Sequence, residues 1–245
     1  MIRVGRCVFV NGKEVDPSYP GFEPIVVMTK SSKYGAIGPY CLKDDKGRNM
    51  ENIWQFHKVY ETVPPSIQKY SKYDQRVIWN HPGETHVIFN DDNTWSLTPE
   101  YFRWREKGMN APDPIRYPVG YNWRHKCLFS LRSVDGVIDP NPLDYIEARK
   151  QIYLPLYVHL VKDHPQFKFL LEKVRRGENI LIIEVDGPHQ ESLSYYQEKY
   201  NVNSDFIDQG TMLCNRNNLN IMLNDSKHPF GHGYCLALAL LMELQ

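Results

Sequence analysis

Residues 179–188 read NILIIEVDGP, with four consecutive apolar side chains, three of them isoleucine, closed by Asp186, Gly187 and Pro188. A run this short, rich in β-branched residues and stopped by turn-formers is a strand, and the strongest in the chain. Being apolar on both faces as far as Ile183, it is central in its sheet. The end of the chain, GHGYCLALALLMEL, reads as a helix apolar on nearly every side, and so as a buried one.

Around these two elements the periodicities alternate. RVGRCVFV and PIVVMT near the start are short β-branched runs separated by Asn11-Gly12 and Pro20-Gly21, and predict strands joined by turns. ENIWQFHKVYE predicts a helix over about 50–62, closed by Pro64-Pro65. Residues 144–162 carry a helical stripe interrupted by Pro155, and 165–176 form a helix that ends on Arg175-Arg176 before Gly177, the residues a helix C-terminus favours. Residues 189–203 predict an amphipathic, tyrosine-rich helix. From 66 to 142 the chain is aromatic, polar and punctuated by proline, which predicts short elements and long loops, acting as functional loops, a lid or an insertion. No repeat, low-complexity tract or linker interrupts the 245 residues. The expectation is one α+β domain over 1–245, a small sheet packed with several helices, with a loop-rich insertion at about 66–142.

Composition excludes several function classes. Lysine plus arginine and aspartate plus glutamate number 29 each, so the net charge is zero and a nucleic-acid partner would need a local basic patch. Cys7, Cys41, Cys127, Cys214 and Cys235 are odd in number, scattered and without a CxxC pair, which points to free thiols in a reducing compartment. The N-terminus lacks a long apolar segment and no stretch reaches eighteen apolar residues, so neither a signal peptide nor a membrane span is expected, and a cytoplasmic location is. No GxSxG, P-loop or GxGxxG follows a strand. His228 and His232, four apart, and His189 near the strand end invite a metal reading, but the spacing sits in a Pro-Gly loop without an HExxH acid, and no metal or cofactor is expected.

Three segments carry residues suited to chemistry. Glu51, Gln55 and Lys58 fall at i, i+4 and i+7 and line one face of the first helix. They form either a solvated stripe with ordinary charge pairing, or an enclosed one, because Trp54 and Phe56 make the helix apolar over much of its circumference. An enclosed lysine loses the solvation of its ammonium form and becomes a competent nucleophile toward a sugar C1 or a carbonyl. Glu184 and Asp186, two apart at a strand end, share a face and can divide acid and base roles, unless Asp186 merely opens the turn at Gly187. Phe230-Gly231-His232-Gly233 opens the last helix, where backbone amides attract phosphate and glycine lets a ligand approach. Sixteen tyrosines are enough to stack on a base, and equally serve core packing.

In this order the segments resemble the NADAR (YbiA-like) N-glycosidase superfamily. ENIWQFHKVY is similar to its Glu, then Gln, then Lys among aromatics, at Glu51, Gln55 and Lys58. ILIIEVD resembles its strand with Glu and Asp, matching Glu184 and Asp186, and Phe230-Gly231-His232-Gly233 resembles its Trp-Gly-x-Gly motif. ALALLMEL resembles its closing helix. The matched pieces cover about a third of the chain, with Asn52 where the family usually has His and Phe230 where it has Trp. The resemblance implies metal-free cleavage of the N-glycosidic bond of a ribosylated base, nucleotide or ADP-ribose adduct, either free or on nucleic acid. Lys58 would attack or stabilise the ribose C1, Glu51 would tune Lys58 or shuttle its proton, and Asp186 would act as acid or base. Trp54, Gln55, Glu184 and residues 230–233 would bind substrate, and Glu51, Lys58, Glu184 or Asp186, and Gly231 to Gly233 would line a common cleft. The alternatives are a non-catalytic module that holds a nucleotide or ADP-ribosyl group, and a viral or bacterial interaction protein.

Overall fold

The computed structural model describes residues 1–66, 79–92, 94–134 and 136–244. The architecture is mixed α+β, with several helices and small sheets, and the chain divides into two compact units, one of Met1–Gly38 with Leu154–Gln245 and the other of Pro39–Tyr153. Among the described residues no helix is long and apolar enough to cross a membrane.

The first unit is built on a four-stranded sheet in the order Thr211–Leu213, Ile2–Arg6, Ile180–Glu184, Glu23–Val26. The 180–184 strand lies in the interior of the sheet with every residue buried, and pairs in parallel with both neighbours, Ile182 opposite Val4 and Ile25. Its alternation sorts the side chains: Leu181 and Ile183 join Cys7 in one apolar cluster, while Ile180, Ile182 and Glu184 point to the opposite face. The helix His232–Glu243 packs against this strand and Ile2–Arg6, and against the helices Leu154–Val161, Pro165–Arg175 and Arg216–Asn224. Contacts on so many sides explain why its residues 233–237 are all buried. The expected helix over 189–203 is shorter: a 3-10 turn at Gln190–Ser192 leads into Leu193–Tyr200, which Asn201 ends in the left-handed region at φ 52°.

The second unit packs an aromatic core that includes Phe56, Tyr60, Trp79, Tyr101, Trp104 and Leu131. Most of it comes from the stretch expected to be loops. Thr98 caps the eleven-residue helix Pro99–Met109 by accepting from the Tyr101 amide, with Pro99 in the first turn, where its missing N–H costs nothing. Short antiparallel pairs surround it, Val87–Phe89 with Trp95–Leu97 and Thr62–Val63 with Glu84–Thr85. Of the 66–142 stretch, residues 67–78, 93 and 135 lie outside the described residues. The helix Met50–Phe56 lies so close to Pro99–Met109 that a Cβ on Gly108 would stand 1.9 Å from the Phe56 ring. Glycine is the residue that allows this approach.

Two helix boundaries differ from expectation. The first helix stops at Phe56 instead of continuing to 62, and Lys58–Val59 pairs antiparallel with Phe129–Ser130. Backbone bonds from Leu131 N to His57 O and from Leu128 N to Val59 O replace the helical ladder. Val59 and Tyr60 favour a pleated, buried environment, and a partner strand 70 residues away satisfies them better than another helical turn. In the second case, Pro155 does not break the 144–162 stripe. Tyr145–Ala148 passes into a π-helical stretch, Arg149–Tyr153, and then Leu154–Val161. A widened turn just ahead of a proline relieves the clash of its ring with the preceding turn.

Candidate functional site

Asn49 starts the 50–56 helix by accepting from the Glu51 amide at 3.0 Å, while its Nδ2 donates to Tyr40 O at 2.7 Å. This places Glu51, Trp54 and Gln55 on a helix and Lys58 on the strand after it. The spacing that suggested a helical stripe is therefore only partly helical, yet the side chains are linked. Gln55 Nε2 donates to Glu51 Oε1 at 2.7 Å, and Lys58 Nζ donates to Gln55 Oε1 at 2.9 Å. Glu51 is buried, and its carboxylate takes the NH₂ end of the amide, which turns the Gln55 oxygen toward Lys58. Glu51 thus acts on Lys58 through Gln55. The Lys58 ammonium also stands 4.9 Å from the centre of the Trp54 ring, which is packed against Tyr153.

Asn52, beside Glu51, is fully buried. It accepts from Ile115 N at 2.7 Å and donates to Ala111 O and Asp113 O, so it fastens the 111–115 loop to the helix.

Gln55 and Lys58 open on a cavity of about 430 Å³ within this unit, whose lining also includes Arg116, Tyr117, Arg124 and Tyr145. Among the described residues, Lys58, Arg116, Arg124 and His125 line it against one acid, Asp144. The Asp144 carboxylate is engaged by the Glu147 amide at 2.8 Å. A chain of zero net charge therefore carries a local cationic pocket. Cys127 lies in the same wall, where burial pushes its thiol up and the Lys58 charge only partly offsets this. Arg116, Arg124 and Tyr117 were not singled out by sequence reasoning. For Arg124 the available signal was the run of aromatic and basic residues YNWRHK, which folds as the 3-10 helix Tyr121–Lys126.

The other expected site residues lie in the first unit. Glu184 is 1% exposed and is held by the residues that open the last helix: Gly233 N donates to Oε1 at 2.9 Å, and His232 Nδ1 is 3.2 Å from Oε2. A Cβ on Gly231 would stand 2.2 Å from the Glu184 carboxylate, and one on Gly233 2.7 Å from it. The anion at this helix N-terminus is the protein's own, and the glycines let the backbone close around it. His232 also bonds Val27 O through Nε2 at 3.0 Å. Burial opposes charge on this ring, but the Glu184 carboxylate, its hydrogen bond and the Val27 carbonyl outweigh it, and the pKa is raised. Asp186 is partly exposed in the turn after the strand, and Phe230 is buried with its ring stacked on Tyr234. The three histidines go different ways. His189 and His228 have ring centres 4.8 Å apart, while His232 turns to Glu184.

The candidate residues thus form two sets: Glu51, Trp54, Gln55 and Lys58 in one unit, and Glu184, Asp186 and residues 230–233 in the other. Comparison of the chain with protein-family models, with curated proteins and with solved structures finds no match in any of the three.

Proposed function

We propose that this chain is an N-glycosidase of the NADAR (YbiA-like) type that cleaves the bond between ribose C1 and a base in a ribosylated base, a nucleotide or an ADP-ribose adduct. The observation that carries the reading is Lys58, held by the Glu51–Gln55 pair on the wall of a cationic, aromatic cavity of about 430 Å³. That volume is in the range of small-molecule sites. Arg116 and Arg124 suit a phosphate, and Tyr117 and Tyr145 suit the flat face of a base. In this reading the neutral Lys58 amine forms a bond to C1 as the C1–N bond to the base breaks, and the base takes up the proton that the amine loses. Water then adds to C1 as the Lys58–C1 bond breaks, its hydroxyl staying on the ribose and its proton returning to Lys58. Glu51 is a positioning residue for Lys58.

The test is incubation of the full chain with a ribosyl nucleotide and with an ADP-ribosylated nucleoside, reading free base by chromatography. Base should appear with the wild type, and borohydride should trap a ribosyl adduct on Lys58. Lys58→Ala should lower turnover by about 100-fold or more. Binding without release of base makes the chain a nucleotide-holding module instead. The absence of both binding and release overturns the reading.

A further inference from the structure

A second constellation lies within the first unit, in residues that the glycosidase reading does not use. Ser192 ends the 3-10 turn Gln190–Ser192 and stands at the N-cap of Leu193–Tyr200. A serine there ordinarily turns its oxygen onto the first-turn amides. This one makes no capping bond, and its Oγ lies 2.9 Å from Nε2 of His228. On the other side of the ring, His228 Nδ1 is 2.6 Å from Asp225 Oδ2 and 2.9 Å from the Tyr196 hydroxyl, which itself donates to that carboxylate oxygen at 3.0 Å.

Asp225 is an unusually well-defined anion. Its side chain is 1% exposed, and burial alone would favour the neutral acid. The Tyr195 hydroxyl at 2.6 Å, the His228 ring, the Lys227 amide at 3.2 Å and the Tyr196 hydroxyl at 3.0 Å reverse this and hold the carboxyl at about 2. A carboxylate facing Nδ1 selects the tautomer with the proton on Nδ1. Nε2 is left with its lone pair directed at the Ser192 hydroxyl. Asp225 and His228 are buried, while Ser192, at the end of the relay, is a partly exposed residue.

We propose that Ser192, His228 and Asp225 act as nucleophile, base and orienting acid, and that Ser192 accepts an acyl group from an activated carboxylic ester. The Ser192 Oγ–carbon bond forms as its proton passes to His228 Nε2. The bond to the leaving alcohol then breaks, with that proton going to the alcohol oxygen. Water, deprotonated by the same ring, releases the carboxylic acid and restores Ser192.

A fluorophosphonate tests this on the full chain, since it forms an Oγ–phosphorus bond and expels fluoride only at an activated hydroxyl. Modification mapped to the Ser192 peptide should run at least about 100-fold faster in the folded chain than in urea, the factor general-base assistance typically supplies. Ser192→Ala should abolish it, and p-nitrophenyl acetate should show a burst of nitrophenolate in the wild type that this variant lacks. In His228→Gln, with folding checked by continued protection of the Cys235 thiol, the rate at Ser192 should fall by the same factor. A Ser192 rate no faster in the folded wild type than in urea overturns the proposal without recourse to any variant. So does an unchanged rate in folded His228→Gln.

Discussion

At the scale of single residues, two carboxylates of similar burial serve opposite ends. Glu51 steers a side-chain amide, whereas Glu184 is enclosed by backbone. In Glu51→Gln the acceptor charge is lost and the Gln55 amide is no longer compelled to show its oxygen to Lys58. Ribosyl turnover should then fall while urea unfolding of the second unit changes little. Around Glu184 the geometry has no slack. Gly231→Ala would place a methyl 2.2 Å from the carboxylate, so the carboxylate or the helix entry has to move, at a cost of about 1–3 kcal/mol read as a lower urea midpoint. The Glu184–His232 pair also has a signed pH dependence. The raised pKa of His232 means that the folded state binds its proton more tightly than the unfolded chain does. Its stabilisation is complete below about pH 6.5, the ordinary histidine value, and is lost as pH rises through the raised value. Glu184→Gln removes the charge responsible, and the decline in stability above pH 6.5 should flatten.

At the scale of elements, caps and close approaches decide where helices sit. Asn49 both caps the 50–56 helix and ties it to the Tyr40 carbonyl. Asn49→Ala should therefore cost about 1–2 kcal/mol, in the upper half of the usual range for a lost cap, measured by urea unfolding followed by fluorescence. Tryptophan is a clean reporter here because Trp54, Trp79, Trp95, Trp104 and Trp123 all fall within the second unit. The first unit reports through its thiols. Cys7, Cys214 and Cys235 are buried there, and Cys41 is exposed in the second unit. A thiol reagent should label Cys41 rapidly in the native protein and the three buried thiols only as the first unit opens. All five should react after denaturation without reductant. A protected pair would show that disulfides exist in the protein and would reverse the reading of the cysteines.

For the molecule as a whole, acid is the expected weakness. Burial and the nearby Arg105 charge lower His57 to about 3, and burial together with His81 lowers His86 to about 4. Both rings are neutral in the folded second unit. As pH falls below about 6.5 the unfolded chain takes up protons that the folded one refuses, so stability declines toward those depressed values by up to about 1.4 kcal/mol per pH unit for each ring. Urea midpoints by tryptophan fluorescence should fall steadily from pH 6.5 to 4.5, and a flat profile would contradict the burial of these histidines. Much of this organisation can be read from local pattern. The runs ILII and ALALLMEL announce a central strand and a buried helix because hydrophobic periodicity is a property of neighbours in sequence, and both are found at 180–184 and 232–243. The Glu51, Gln55 and Lys58 set could also be picked out, although its helix ends at Phe56, since the competing partner for Lys58–Val59 is Phe129–Ser130. The aromatic core within 79–131 was not legible, because prolines and polar residues mask elements whose stability comes from packing against one another. Nor was the occupant of the Gly231–Gly233 cradle, a carboxylate from 49 residues upstream of Gly233. Ser192, Asp225 and His228 carry no spacing signal at all. The sequence by itself determined the strand and the buried helix, both set by residues adjacent in the chain. Tertiary structure alone decided which anion the glycines enclose, which cations line the cavity and which serine faces a histidine, because each depends on contacts between residues far apart in the chain, which no local periodicity encodes.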